Sequence, residues 1–98
     1  MLSDPLIAAT EDEVTLDPVT VGARVVTFQV IGTLLAGEYI NFEVEDPAAV
    51  SGWRVMKLDD EEVKIVLGND QVTFFAPAYV RPHKSVTTAA CGLRSIAP

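Results

Sequence analysis

Apolar and polar side chains alternate with a period of two along most of the chain, and almost nowhere with the helical period of 3.6. From Arg24 onward, Val26, Phe28 and Val30 fall on one face of an extended segment that ends at Gly32, while Val25, Thr27, Gln29 and Ile31 fall on the other. Both faces are largely apolar, which predicts a central strand. Ile40, Phe42 and Val44 alternate with Tyr39, Asn41, Glu43 and Glu45, the pattern of a strand with one wet face. Asp46-Pro47 then interrupts it, with Asp46 placed to cap and Pro47 to open a single helical turn through Ala48-Ala49 before Gly52.

Further strands are predicted over Trp53 to Leu58 and around Val63, Ile65 and Leu67 as an inward face, joined by a turn at Asp59-Asp60. Gly68-Asn69-Asp70 leads into Gln71 to Phe75, which Ala76-Pro77-Ala78 ends. Tyr79 to Arg81 forms a short piece before Pro82, Thr87 to Ile96 a last strand weakened at Gly92, and Val14 to Val21 a first strand broken by Asp17-Pro18. Residues 1–13 read as a flexible N-terminal arm and 14–98 as one domain. The expectation is an all-β, antiparallel β-sandwich of Ig-like or jelly-roll-like type with about seven short strands.

Edges matter in such a fold, because unpaired strands recruit other strands. Glu45-Asp46-Pro47 and Arg81-Pro82 read as edge guards, whereas Thr87 to Leu93 carries no charge and is expected to lie centrally or against another chain.

Composition refines this picture. The 98 residues hold 14 acids and seven bases for a net charge of −7. Residues 1–70 carry every acid and are net −10; residues 71–98 carry only Arg81, Lys84 and Arg94, net +3. Acidity disfavours nucleic acid, whose phosphates bind clustered Lys and Arg. The segregation favours contacts between copies or with oppositely charged partners, so Arg81, Lys84 and Arg94, with Asp4 and Pro5 in the arm, are the candidate interface residues. Residues 1–10 include Asp4 and Pro5 and lack a basic start and long apolar block, so no signal peptide and no membrane segment are expected. The single Cys91 sits in an apolar run and is expected buried and reduced.

Candidate chemistry is sparse. His83, between Pro82 and Lys84, reads as a solvated loop residue without a sequence-level partner. Ser51, Ser85 and Ser95 lack a nucleophile setting, and no catalytic residue, cofactor or metal ligand is predicted. Asp59-Asp60-Glu61-Glu62 lacks the spacing that wraps carboxylates around calcium and reads as a solvated hairpin tip. Trp53, Tyr39 and Tyr79 are candidates for stacking on carbohydrate, against the plainer reading of Trp53 as core.

The succession Gly32-Thr33, then Gly37 through Val44, Gly52-Trp53-Arg54-Val55, Ala76-Pro77-Ala78-Tyr79-Val80-Arg81 and Cys91-Gly92-Leu93-Arg94 resembles small virion proteins of tailed bacteriophages. The likeness spans about residues 24–96 and rests on order and spacing; the Asp-Gly segment that usually precedes the Trp is missing. The resemblance implies a β-sandwich of capsid-decorating, neck or fibre-attachment type. Its expected partners are other virion proteins or copies of itself, as a homo-oligomer or in many copies on a lattice, located in the virion. The alternative expectation is a carbohydrate-binding or adhesion module.

Overall fold

The computed structural model describes residues 2–96, with side chains for residues 5–96. Among them twelve strand segments are found: β1 (Leu2–Thr10), β2 (Val14–Thr15), β3 (Val19–Thr20), β4 (Arg24–Ile31), β5 (Ile40–Glu45), β6 (Trp53–Val55), β7 (Lys57–Leu58), β8 (Glu61–Glu62), β9 (Lys64–Ile65), β10 (Gln71–Ala76), β11 (Tyr79–Lys84) and β12 (Cys91–Ile96). Every pairing among these strands is antiparallel. One sheet runs β1-β12-β4-β10; the second runs β2-β11-β5-β6, with β3 added to β11 and β9 to β5. The protein is an antiparallel β-sandwich.

Alternation explains why the two sheets stack. Val26, Phe28 and Val30 of β4, Phe74 and Ala76 of β10, and Leu93 of β12 bury one face of the first sheet. Ile40, Phe42 and Val44 of β5 and Val80 of β11 bury the facing side of the second. Three rings join the layers: Phe28 stacks on Phe42 with centroids 4.8 Å apart, and Phe74 lies 5.8 Å from Phe28 and 5.3 Å from Phe42. Burying each such ring is worth on the order of 2–3 kcal/mol, with about 1 kcal/mol more from the ring pairing.

Several expectations are corrected. The segment expected as a flexible arm holds β1, an edge strand hydrogen-bonded to β12 with Leu2 opposite Ile96 and Thr10 opposite Cys91. More segments appear than the seven expected, because Asp17-Pro18 splits the first predicted strand into β2 and β3 and the stretch from Trp53 to Ile65 breaks into four short pieces. The fourth strand is central, between β12 and β10, but its second face is not buried: Val25 is 61% exposed. Leu67, expected inward, is 57% exposed, since Val66 and Asn69 close a turn around it. Cys91 is buried as expected.

The predicted helical turn is a pair of tight turns instead. Asp46 Oδ1 accepts from the Ala48 N–H, Ala49 N–H donates to the Asp46 carbonyl and Gly52 N–H to that of Ala49. The supposed guards Glu45 and Arg81-Pro82 lie on β5 and β11, both interior strands. Proline is tolerated in β11 because its missing donor faces the break between β2 and β3, where Leu16 N–H still donates to the Pro82 carbonyl. The last strand starts at Cys91, and β12 lies between β1 and β4, so the central-strand reading of this uncharged stretch holds.

Two polar devices tie the ends of the sandwich together. Glu38 accepts from the N–H of Leu35 at 2.8 Å and of Thr88 at 2.7 Å, and these backbone donors hold its carboxyl below the ordinary glutamate range. Lys84 is fully buried, its Nζ donating to the carbonyls of Asp12 at 2.8 Å and Ser85 at 3.0 Å.

Candidate functional site

The three C-terminal bases do not gather into one patch. Arg81 points out from the second sheet, with Nη2 2.8 Å from Glu43 Oε1 and its guanidinium 4.7 Å from the centre of the Trp53 ring. Its charge is largely satisfied within the sheet. Lys84, three residues further along β11 and of opposite parity, points inward and is spent on backbone carbonyls, so it is unavailable to a partner. Arg94 lies on the opposite layer, half-buried, and donates to Gln29 Oε1 at 3.1 Å across β12 and β4. Pro5 pairs with Arg94 in register and is exposed; the Asp4 side chain lies outside the described residues.

The aromatic candidates share one outer face. In the second sheet Tyr79, Arg81 and His83 alternate outward along β11, Glu43 and Glu45 along β5, and Trp53 pairs with Glu45. Tyr79 is exposed; Tyr39 is half-buried with its ring 6.0 Å from that of His83. Trp53 is half-buried beneath Arg81, so it is neither a core residue nor an open platform.

His83 is corrected from loop to strand. Its Nδ1 lies 2.7 Å from Thr15 Oγ1 and its Nε2 3.4 Å from Glu13 Oε2. These partners lie about 70 positions away and meet it only because β2 pairs with β11, putting Thr15 opposite His83. The row orients the imidazole between a hydroxyl and an acid, but Glu13 is 61% exposed, where water screens any help to the ring. Among the described residues no three His, Cys, Asp or Glu side chains converge as metal ligands, the Asp59 to Glu62 tip included.

An open strand edge not anticipated among the candidate sites is that of β10, the end strand of the first sheet. Val30 N–H donates to the Asp70 carbonyl at 2.9 Å, and the register sets Gln71 opposite Gln29. In an antiparallel ladder successive residues turn their backbone groups to alternate sides. Val72, Phe74 and Ala76 therefore face β4, while Gln71, Thr73 and Phe75 aim N–H and C=O outward from an end strand. On the outer face Phe75, 60% exposed, lies directly beside Val25, and Thr27 and Thr73 share a 2.8 Å hydroxyl contact. On the inner side a cleft of about 270 Å³ lies between Val72 and Thr73 and the β7–β8 hairpin, lined there by Leu58, Val63, Glu61, Glu62 and Lys64. The signal was legible as Gln71-Val72-Thr73-Phe74-Phe75-Ala76, six uncharged residues without an internal proline.

Compared with family models, with curated proteins and with solved structures, the chain finds no match.

Proposed function

We propose that this chain is a non-enzymatic assembly protein that works through contacts with other polypeptides, and that its setting is the virion of a tailed bacteriophage. The observation that carries the first part is the β10 edge: six uncharged residues, three of them offering backbone donors and acceptors outward, flanked by the exposed Phe75 and Val25 pair. Such an edge is a surface for another strand. The second part rests on the sequence resemblance spanning residues 24–96. The test is sedimentation of the purified chain, alone and mixed with purified phage capsids or tails, at low and high salt. Salt-dependent self-association or co-sedimentation with particles is the expected result; a strict monomer that binds neither overturns the reading.

A second reading is favoured by one observation, the placement of Tyr39, Trp53 and Tyr79 on the same face of one sheet. On it the protein binds carbohydrate by stacking. The Arg81 guanidinium over Trp53 already occupies part of that platform, which makes this the weaker reading. A glycan panel with no signal removes it.

A further inference from the structure

We infer that the β10 edge is a docking groove for an extended, basic segment of a different polypeptide, added as a fifth strand to the β1-β12-β4-β10 sheet. The inference rests on the assembly reading above and names the partner's chemistry. Three observations converge on it. The backbone of Gln71, Thr73 and Phe75 offers a ladder of donors and acceptors at an end strand. The cleft of about 270 Å³ beside Val72 and Thr73 gives alternate side chains of an incoming strand somewhere to go, against Leu58 and Val63. The remaining side chains of that strand would lie on the outer face, against Thr73 and Phe75.

Charge decides which strand. The hairpin that walls the cleft reads Lys57-Leu58-Asp59-Asp60-Glu61-Glu62-Val63-Lys64, net −2 even with both lysines counted, and Asp70 adds a further acid at the start of β10. Glu61, Glu62 and Lys64 line the cleft itself and are exposed, two acids against one base, with Glu62 also accepting from Asn41 Nδ2 at 2.8 Å. Lysines or arginines at alternate positions of the guest meet these carboxylates as the backbones pair.

A second copy of this chain fits less well. The outward backbone groups dictate the register of a symmetric pair, with Thr73 opposite Thr73 and Gln71 opposite Phe75, because only then do all three outward residues meet each other in hydrogen-bonded pairs. That register brings the Glu61 and Glu62 hairpins of both copies to the same two-fold axis, where like charges repel. No segment of this chain offers the required basic strand, since its seven bases are scattered singly.

The test uses the full chain, labelled for NMR, and three nine-residue peptides: Lys-Val-Lys-Val-Thr-Val-Lys-Val-Lys and its versions with serine or glutamate replacing each lysine. The lysine peptide is expected to shift and slow the exchange of the Gln71, Thr73 and Phe75 amides, leaving Val72 and Phe74 as they were, and to bind about tenfold more tightly than the serine peptide. The glutamate peptide is expected not to bind. Thr73→Pro, which removes an outward donor and no donor used within the sheet, abolishes the effect. Glu61→Lys with Glu62→Lys, on an exposed hairpin, weakens it even if the proline variant fails to fold. Equal response to all three peptides, or shifts confined to other strands, overturns the inference. Concentration-dependent protection of the same amides in the protein alone overturns it in favour of a second copy. Particle binding that survives Thr73→Pro leaves the assembly reading standing and removes this edge from it; peptide binding without particle binding does the reverse.

Discussion

The two edges of the first sheet, β1 and β10, are built by opposite rules. Strand β1 carries Asp4 and Pro5, and its register with β12 slips three times between Leu2 and Thr10. Charge, proline and bulges all spoil a strand as a template for another chain. Strand β10 pairs with β4 over six residues without a slip and has neither charge nor proline. One edge is closed by its own irregularity and the other is left regular and open, which identifies openness at β10 as a property of the sequence and not of sandwiches in general.

The irregular edge is held by a glycine. A Cβ at Gly92 would collide with the Ile7 carbonyl oxygen and stand 3.0 Å from backbone atoms of Ala8 and Ala9, the residues where β1 bulges across β12. Gly92→Ala is therefore expected to cost about 3 kcal/mol as overpacking with no flexible atom to yield. Amide exchange is expected to show β1 released while the β10–β4 ladder keeps its protection. Equal loss in both would mean that the edges fold as one unit and that the contrast is only one of shape.

The far end of the same edge depends on Lys84. Its ammonium meets the Asp12 carbonyl, while Thr87 N–H donates to the Glu11 carbonyl and Thr87 Oγ1 to that of Thr10, so three polar contacts clamp the chain as it leaves β1. Lys84→Met keeps the stem volume and strands the carbonyls of Asp12 and Ser85, costing about 2 kcal/mol. Thermal unfolding measures the loss, and rapid exchange at the Ile7 and Ala9 amides locates it. An unchanged melting temperature would assign the clamp to Thr87 alone.

These edges also mark where the sequence could be read and where it could not. The alternation of Val26, Phe28 and Val30 and of Ile40, Phe42 and Val44 gave the buried faces directly, because period two follows from the pleat itself. Strand β1 was invisible: its partner residues lie at the other end of the chain, and Asp4-Pro5 looks locally like a stop signal. Lys84 was misplaced for a related reason. Strand parity puts it inward, yet only the fold supplies the two carbonyls that make burial of an ammonium tolerable. Thr15, Glu13 and His83 likewise depend on a long-range pairing that no local spacing encodes. The β10 edge was readable as an uncharged run, but whether such a run is central or terminal is decided by topology; β12, equally uncharged along most of its approach, turned out to be covered.

Proline placement separates the two sides of β10. Thr73→Pro removes a donor that faces water and is expected to cost about 1 kcal/mol, part of it the lost contact with Thr27 Oγ1. Val72→Pro, one residue away, removes a donor aimed at β4 and is expected to cost about 3 kcal/mol or more. Denaturant unfolding of the pair measures the difference directly. Similar costs would show that the outward groups of β10 are engaged, and the edge would then be as closed as β1.

The smallest effect expected lies in the hairpin that walls the open edge. Asp59 and Asp60 both adopt positive φ, 52° and 65°, between the two-residue strands β7 and β8. Two consecutive left-handed residues make the mirror-image turn that matches strand twist, and glycine fits its second position without the strain an aspartate carries. Asp60→Gly is expected to stabilise the protein by about 0.5–1 kcal/mol, read as a rise in melting temperature. The same change removes one acid from the tip of the hairpin that walls the cleft, so it is expected to loosen a basic guest slightly while tightening the fold. Asp60→Asn separates the two, since asparagine keeps tolerance of the turn and loses only the charge. If asparagine leaves peptide binding unchanged, the field at β10 comes from Glu61 and Glu62, the acids that line the cleft, and not from the hairpin tip.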